Sequence, residues 1–391
     1  MSTDSHTSGA HAADGSWAFS RSHGFLLEPD PVADLRTAAT GLEAEAVRAI
    51  QELGDAMPVL VTEGRIRGEL DQLPALDMSP AIAHGDGRVL ERLFQIYAHA
   101  ANAYVWCEQD NPASEVPVGV AVPLVELADA LGRPPVLAYA STSLSNYERI
   151  DPTGDLSVDN LRCIQELIGT QDESWFHLIH VEIEWHAAEA VAGCLDAAVA
   201  ASTGDTDEVA RRLAPVPEAF DRMIATFKRI GEGCSPDYYF RTLRPYLFGF
   251  TDVVYTGVEA FNGEPQTFRG ESGAQSTIIP TIQRLLGLQH WEGGLTADLE
   301  AMIDYMPVPH QHVLAGIDSE AIRPHVVAAA SPELTDVYNA CLQQVLDFRS
   351  LHLNMARSYV ASRLDDPTGT GGTEFMPWLT QLRDETKEQM L

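Results

Sequence analysis

The sequence predicts a mostly α protein, with a small N-terminal domain followed by a large all-helical one. Three observations carry this reading. Apolar residues recur at helical spacing in several long segments, prolines follow capping serines at two helix starts, and strand signals are confined to a single stretch.

The elements follow in chain order. The opening "MSTDSHTSGAHAADGSW" has neither a basic n-region nor an apolar h-region, so it does not read as a signal peptide, and residues 1–16 read as a disordered tail. "DGRVLERLFQIYAHAANAYVW" sets Leu90, Phe94, Tyr97, Ala101 and Tyr104 on one helical face. The turn-rich "DPTGDLS" at 151–157 separates two helical regions and sets domains at 17–156 and 157–391. "PEAFDRMIATFKRIG" aligns Phe220, Ile224 and Phe227 and should stop at Gly231. Ser235-Pro236 and Ser331-Pro332 each pair a helix cap with proline at the first helical position. "VVYTGVEAFNGEPQTFRG" holds an Asn262-Gly263 turn between β-rich pieces and predicts one hairpin.

Composition bounds the function. With 45% hydrophobic residues in 391, the chain can bury a large core. Its net charge of −32 repels phosphate backbones, which argues against nucleic acid and anionic membranes as partners. The five cysteines are scattered and form no CxxC pair, which points to reduced thiols in a cytoplasm rather than zinc clusters or disulfides. No apolar run reaches the ~18 residues that span a bilayer. A soluble cytoplasmic protein is expected.

Four features could carry chemistry. In "DFRSLHLNMARSYV", Val345, Phe348, His352, Met355 and Tyr359 form one helical stripe whose only polar member is His352. A core histidine bonded to a carbonyl explains it blandly. With Arg349 one turn earlier, it also suits haem, which needs an axial nitrogen, oily walls and cations for its propionates. In "SWFHLIHVEIEWHAAEA", His177, His180 and Glu184 share a face, consistent with a solvated helix side, a non-haem metal site, or a group on the open side of a haem. In "SPDYYFRTLRPYLFGF", Phe240 and Arg244 lie one turn apart, so the arginine either snorkels to water or meets a carboxylate, and Pro245 should bend the helix there. "FRGESGAQS" and "DPTGTGGTEF" are glycine-rich loops without the lysine of a phosphate loop.

Taken together and in order, "HGFLLEPDP", "AHAANAYVW", "AVPLVELADALGRPPVLAYA", "WFHLIHVEIE", "FRGESGAQS", "YMPVPHQHVL", "FRSLHL" and "GTGGTEFM" resemble the indoleamine 2,3-dioxygenase family over nearly the whole chain. The resemblance implies a small domain above an all-helical domain that holds haem b. It implies that O2 is inserted across the C2–C3 bond of the tryptophan indole to give N-formylkynurenine, by a monomer acting on a small indole substrate. His352 aligns with the proximal iron ligand, and Arg349 with a residue near a propionate. Ser272 and Gly273 should approach the haem plane. Phe240 and Arg244 match the substrate-pocket aromatic and the carboxylate-binding arginine, and Thr370 matches a threonine that holds the amino-acid head. Tyr139, Thr142 and Ser143 should line the distal pocket, Phe176 should pack over the indole, and His180 could accept the indole N–H. Three positions depart from the family pattern: Glu271 where proline or glycine is usual, Gln311 for an arginine, and Gln283 for an aspartate whose ion pair would be lost. A modified tryptophan as substrate, or an O2-binding protein with little turnover, are the rival outcomes.

Overall fold

The computed structural model describes residues 17–290, 294–363, 369–372 and 375–391. The 1–16 tail and Thr373 of the second glycine-rich loop lie outside the described residues. Helices dominate, as the periodicity requires. The main ones are α1 (Ala44–Thr62), α2 (Gly87–Trp106), α3 (Val118–Leu131), α4 (Gln171–Ser202), α5 (Thr206–Leu213) and α6 (Val216–Lys228). They continue with α7 (Ile278–Leu285), α8 (Gly294–Ile303), α9 (Val308–Gly316), α10 (Ile322–Ala329), α11 (Pro332–Tyr359) and α12 (Phe375–Glu388).

The central helix α4 starts on a Thr170 cap, carries Asp172 and Glu173 against its positive end, and runs into an alanine-rich second half. Glu173 also turns back to accept the amides of Leu167, Ile168 and Gly169 at 2.6, 2.8 and 2.9 Å. Residues facing several directions are buried along α4, because α5, α6 and α7 pack around it. The serine caps at Ser235 and Ser331 form as expected, accepting from the amides of Tyr238 and Leu334.

The predicted hairpin is present. β1 (Phe250–Tyr255) pairs antiparallel with β2 (Gln266–Phe268), and Asn262 and Gly263 between them adopt positive φ of 50° and 73°. Its register shifts between Phe250 and Val253, beside Asp252 at φ 55°. β1 also takes a short parallel partner, Glu115–Val116, that the sequence did not announce.

One expectation fails. Helix α6 stops at Lys228 rather than Gly231, and Ile230–Gly233 form a separate short turn. The Arg229 carbonyl accepts the Trp175 indole N–H at 3.0 Å, and a Cβ on Gly233 would meet the Trp175 ring at 2.4 Å. Gly233 therefore serves the approach of Trp175.

Two hydrophobic clusters form. One gathers residues from Leu35 to Ala138 together with Leu243–Val258, including Phe94, Phe250 and Tyr255. The other joins Trp17–Leu27 to α4, α6, α7 and α11, with Phe220, Met223 and Tyr338 fully buried. Among the described residues no helix is long and apolar enough to cross a membrane, and all five cysteines are free thiols.

Candidate functional site

A cavity of about 350 Å³ opens between α4, α7, α11 and α12. α11 brings Phe348, Arg349 and His352 to it, α4 brings His180, Ile183 and Glu184, and α12 brings Trp378 and Leu382. The single polar member of the α11 stripe therefore points into a cavity rather than a packed core.

Both histidines are neutral. Burial pushes His352 down to about 4, and the nearby His180 lowers it further. Burial also lowers His180, against the pull of its own hydrogen bond to a carbonyl. That bond joins Nδ1 to the Phe176 carbonyl at 2.7 Å; since a carbonyl only accepts, Nδ1 holds the proton and Nε2 keeps its lone pair. The Phe227 ring lies 6.4 Å from His180 and 6.0 Å from His352, so the two imidazoles border the same apolar space from different walls.

Arg349 sits at the edge of this space, 4% exposed. One guanidinium nitrogen donates to the carbonyl of Leu382 at 2.7 Å and to the Thr386 hydroxyl. The other donates to Gln283 Oε1 at 2.5 Å, so the glutamine that replaces a common aspartate keeps a hydrogen bond while losing the charge. Burial without a full counter-charge draws Arg349 down to about 10. Its Nε, like Nε1 of Trp378, is buried with no partner among the described residues. A neutral imidazole on one wall, apolar walls around it and unspent donors at the rim fit a planar iron porphyrin bearing carboxylates.

Of the residues expected at the site, Tyr139, His180, Gly273, Arg349 and His352 line the cavity directly. Phe176 stands behind His180, ring to ring at 4.8 Å. Ser272 faces a smaller neighbouring space with Met302, Gly371 and Trp378. Thr142 and Ser143 are buried in a π-wound turn, Ala140–Leu144, rather than exposed on the cavity wall. Thr370 donates its hydroxyl to the Glu271 carbonyl at 2.5 Å.

Tyr239, not Phe240, meets Phe176, with ring centroids 4.8 Å apart. The backbone explains the exchange: Tyr239–Leu243 is π-wound and Arg244–Leu247 tightens to a 3₁₀ turn at Pro245, which rotates the aromatic pair relative to an ordinary helix. Phe240 instead lies under Arg244, whose guanidinium is 5.6 Å from its ring and 4.7 Å from that of Phe248.

The solvated-side reading of His177, His180 and Glu184 is overturned, since burial lowers both histidines, His177 well below its ordinary value, and raises the glutamate. Among the described residues no group of three or more His, Cys, Asp or Glu could hold a metal ion, which removes the non-haem reading there. Sequence reasoning left Glu184 without a partner and missed Ser276. The Tyr139 and Ser276 hydroxyls both donate to Glu184 Oε1, at 3.1 and 2.6 Å. Gln311 simply donates to the Met306 carbonyl.

Glu184 yields a stability prediction. Burial raises its carboxyl to about 7, so between its ordinary value and 7 the folded state holds a proton that the unfolded chain releases. Stability from this group is complete at low pH and falls as pH rises toward 7. Glu184→Gln should therefore be more stable than wild type at pH 8, by about 1–3 kcal/mol, and show little gain at pH 4.5. Equal differences at both pH values would contradict the assignment.

Comparison with known proteins places this geometry in context. The family model for indoleamine 2,3-dioxygenase matches residues 14–367. The chain is 28% identical over 362 residues to indoleamine 2,3-dioxygenase 1 of Rattus norvegicus, covering 86% of this chain and 87% of that one. It is 29% identical over 430 residues to indoleamine 2,3-dioxygenase of Saccharomyces cerevisiae, covering 95% and 92%. It is also 25% identical over 372 residues to a 6-hydroxytryptophan 2,3-dioxygenase of Fusarium equiseti, covering 87% and 90%.

Proposed function

This chain belongs to the indoleamine 2,3-dioxygenase family, and from that premise we propose that it is a haem b enzyme inserting both atoms of O2 across the C2–C3 bond of L-tryptophan to give N-formylkynurenine. The observation that carries the reading is the pair of neutral imidazoles, His352 and His180, on different walls of one apolar cavity. Bound haem supplies the activation of O2, and no external electrons are consumed overall.

The protein's part is binding and orientation. His352 would hold the iron through its ring lone pair, which requires the neutral ring that burial enforces. Arg349, with an unspent Nε–H, would hold a propionate. Gly273 would bring main chain against the bound group, with Ser272 beside it on the smaller neighbouring space. From another wall of the cavity, His180 Nε2 would accept the indole N–H while Phe176 packs over the ring. Arg244 pairs with the substrate carboxylate, and Thr370 with its neighbouring glycines covers the amino-acid head, while Tyr139, Thr142, Ser143 and Phe240 shape the surroundings. Holding the indole in one orientation inside a dry cavity is the main source of rate enhancement that side chains provide. In this reading residues 17–156 form the smaller domain over the distal side and residues 157–391 the haem domain, in a cytoplasmic monomer.

A second reading has one support: the Fusarium equiseti relative is named for 6-hydroxytryptophan, so a ring-substituted tryptophan is the alternative substrate. Anaerobic reduction of the haem-loaded protein, then addition of L-tryptophan and O2, tests both. The expected product carries two added oxygen atoms. One added oxygen, turnover only of a hydroxylated analogue, or stable O2 binding without product would overturn the L-tryptophan assignment.

A further inference from the structure

We propose that Glu385, acting through His290, holds Arg349 in place at the rim of the cavity, so that this carboxylate and imidazole are positioning residues for retention of the cofactor. The inference rests on the haem reading above and adds two residues which that reading leaves unused.

His290 lines the cavity from the chain that follows α7. Its side chain is 7% exposed, and that of Glu385, on α12, is 3% exposed. His290 Nδ1 lies 2.5 Å from Glu385 Oε2, and Nε2 lies 3.4 Å from the Arg349 nitrogen that also donates to Gln283. Gln381, one turn earlier on α12, donates to the other carboxyl oxygen of Glu385 at 2.5 Å. The chain beside the imidazole is tied down as well. The Gln389 side chain accepts the Gln289 amide at 2.8 Å and donates to the Gln289 carbonyl at 2.7 Å.

These contacts fix the tautomer of the ring. A guanidinium only donates, so Nε2 accepts from Arg349, and the ring proton sits on Nδ1, where Glu385 accepts it. Burial and the Arg349 charge both lower the basicity of the imidazole, which keeps Nε2 unprotonated. One terminal nitrogen of Arg349 is given to Leu382 and Thr386, the other to Gln283 and His290. Held at both ends, the guanidinium plane cannot turn, and Nε–H is left for a carboxylate of the cofactor. All four of these acceptors are neutral, and the anion that supports the buried cation stands one ring further out, on Glu385.

Exchanging one atom at position 385 reverses this order. In Glu385→Gln the new amide keeps its oxygen toward Gln381 and turns its NH2 to His290. Nδ1 must then accept, the ring proton moves to Nε2, and N–H faces N–H at Arg349. Position 283 offers an independent route for the missing anion. Gln283 Oε1 already lies 2.5 Å from the same Arg349 nitrogen, so Gln283→Glu places a carboxylate directly on the guanidinium from α7, without help from α12.

The test is the rate at which full-length, haem-loaded protein gives up haem to excess apomyoglobin, in wild type, in Glu385→Gln, in His290→Leu, and in each of these combined with Gln283→Glu. Both single variants should lose haem about tenfold faster than wild type, the scale of one hydrogen bond to a charged group. Adding Gln283→Glu should restore the wild-type rate in both. Wild-type rates in the two single variants overturn the inference alone. So does faster loss that Gln283→Glu leaves uncorrected, because α12 would then merely have loosened. A further measurement does not depend on any variant folding: imidazole nitrogen NMR of full-length wild type before haem loading should show His290 protonated at Nδ1 and bare at Nε2. A neutral ring protonated at Nε2 overturns the inference. Wild type that retains no haem overturns the proposed function, and this inference with it.

Discussion

His352→Ala protein is expected to purify without haem, lacking the intense visible absorption that wild type shows after supplementation. Among the described residues of α11, His352 alone brings a neutral nitrogen lone pair to the cavity: it stands on the stripe with Val345, Phe348, Met355 and Tyr359, none of which ligates iron through nitrogen. Apolar walls and Arg349 remain in the variant, so residual weak porphyrin association is expected, but not tight retention. The fold should survive, because alanine is a strong helix former and the replaced ring borders a cavity rather than filling a packed core. Apoprotein unfolding temperatures of wild type and variant should therefore agree closely. Added free imidazole should restore colour, since it refills the vacated ligand position. A variant with the wild-type spectrum and no added imidazole would show that His352 is not the ligand.

Arg244→Leu should raise KM for L-tryptophan by about 30-fold or more, the range of ~2–5 kcal/mol for losing one member of a buried charge pair. The guanidinium is 6% exposed and burial lowers its basicity, so its charge stays desolvated and an incoming carboxylate gains more from it than it would at a surface. Leucine keeps the apolar contact with Phe240 and Phe248 while removing the cation. Tryptamine, which has no carboxylate, separates binding from folding damage: its KM should change little. Parallel losses for both ligands would mean that Arg244 serves the turn rather than the substrate.

Much of this architecture was legible in the residues. The α2 and α11 faces follow from strict three-and-four spacing, the Ser235 and Ser331 caps from serine before proline, and the hairpin from Asn262-Gly263. His352 stood out because it breaks an apolar stripe, and a lone polar residue on a buried face needs a reason. What was hidden depends on distant chain. Glu184 acquires its meaning from Tyr139 and Ser276, 45 and 92 residues away. The parallel pairing of Glu115–Val116 with β1 has no local signal either. Pro245 announced a bend, but only the π-to-3₁₀ change of winding decides that Tyr239, not Phe240, turns toward Phe176. The stop of α6 was misread because Gly231 looked like a terminator, whereas Trp175 dictates the local shape.

The placement of α12 has a consequence for how the protein is made. Trp378, Leu379 and Leu382, all from α12, wall the cavity, and Leu382 and Thr386 anchor Arg349. The pocket is therefore incomplete until those residues have been made and have docked against α11. Enclosure of any prosthetic group then depends on that docking, so a change that loosens α12 should weaken retention without touching the ligand itself.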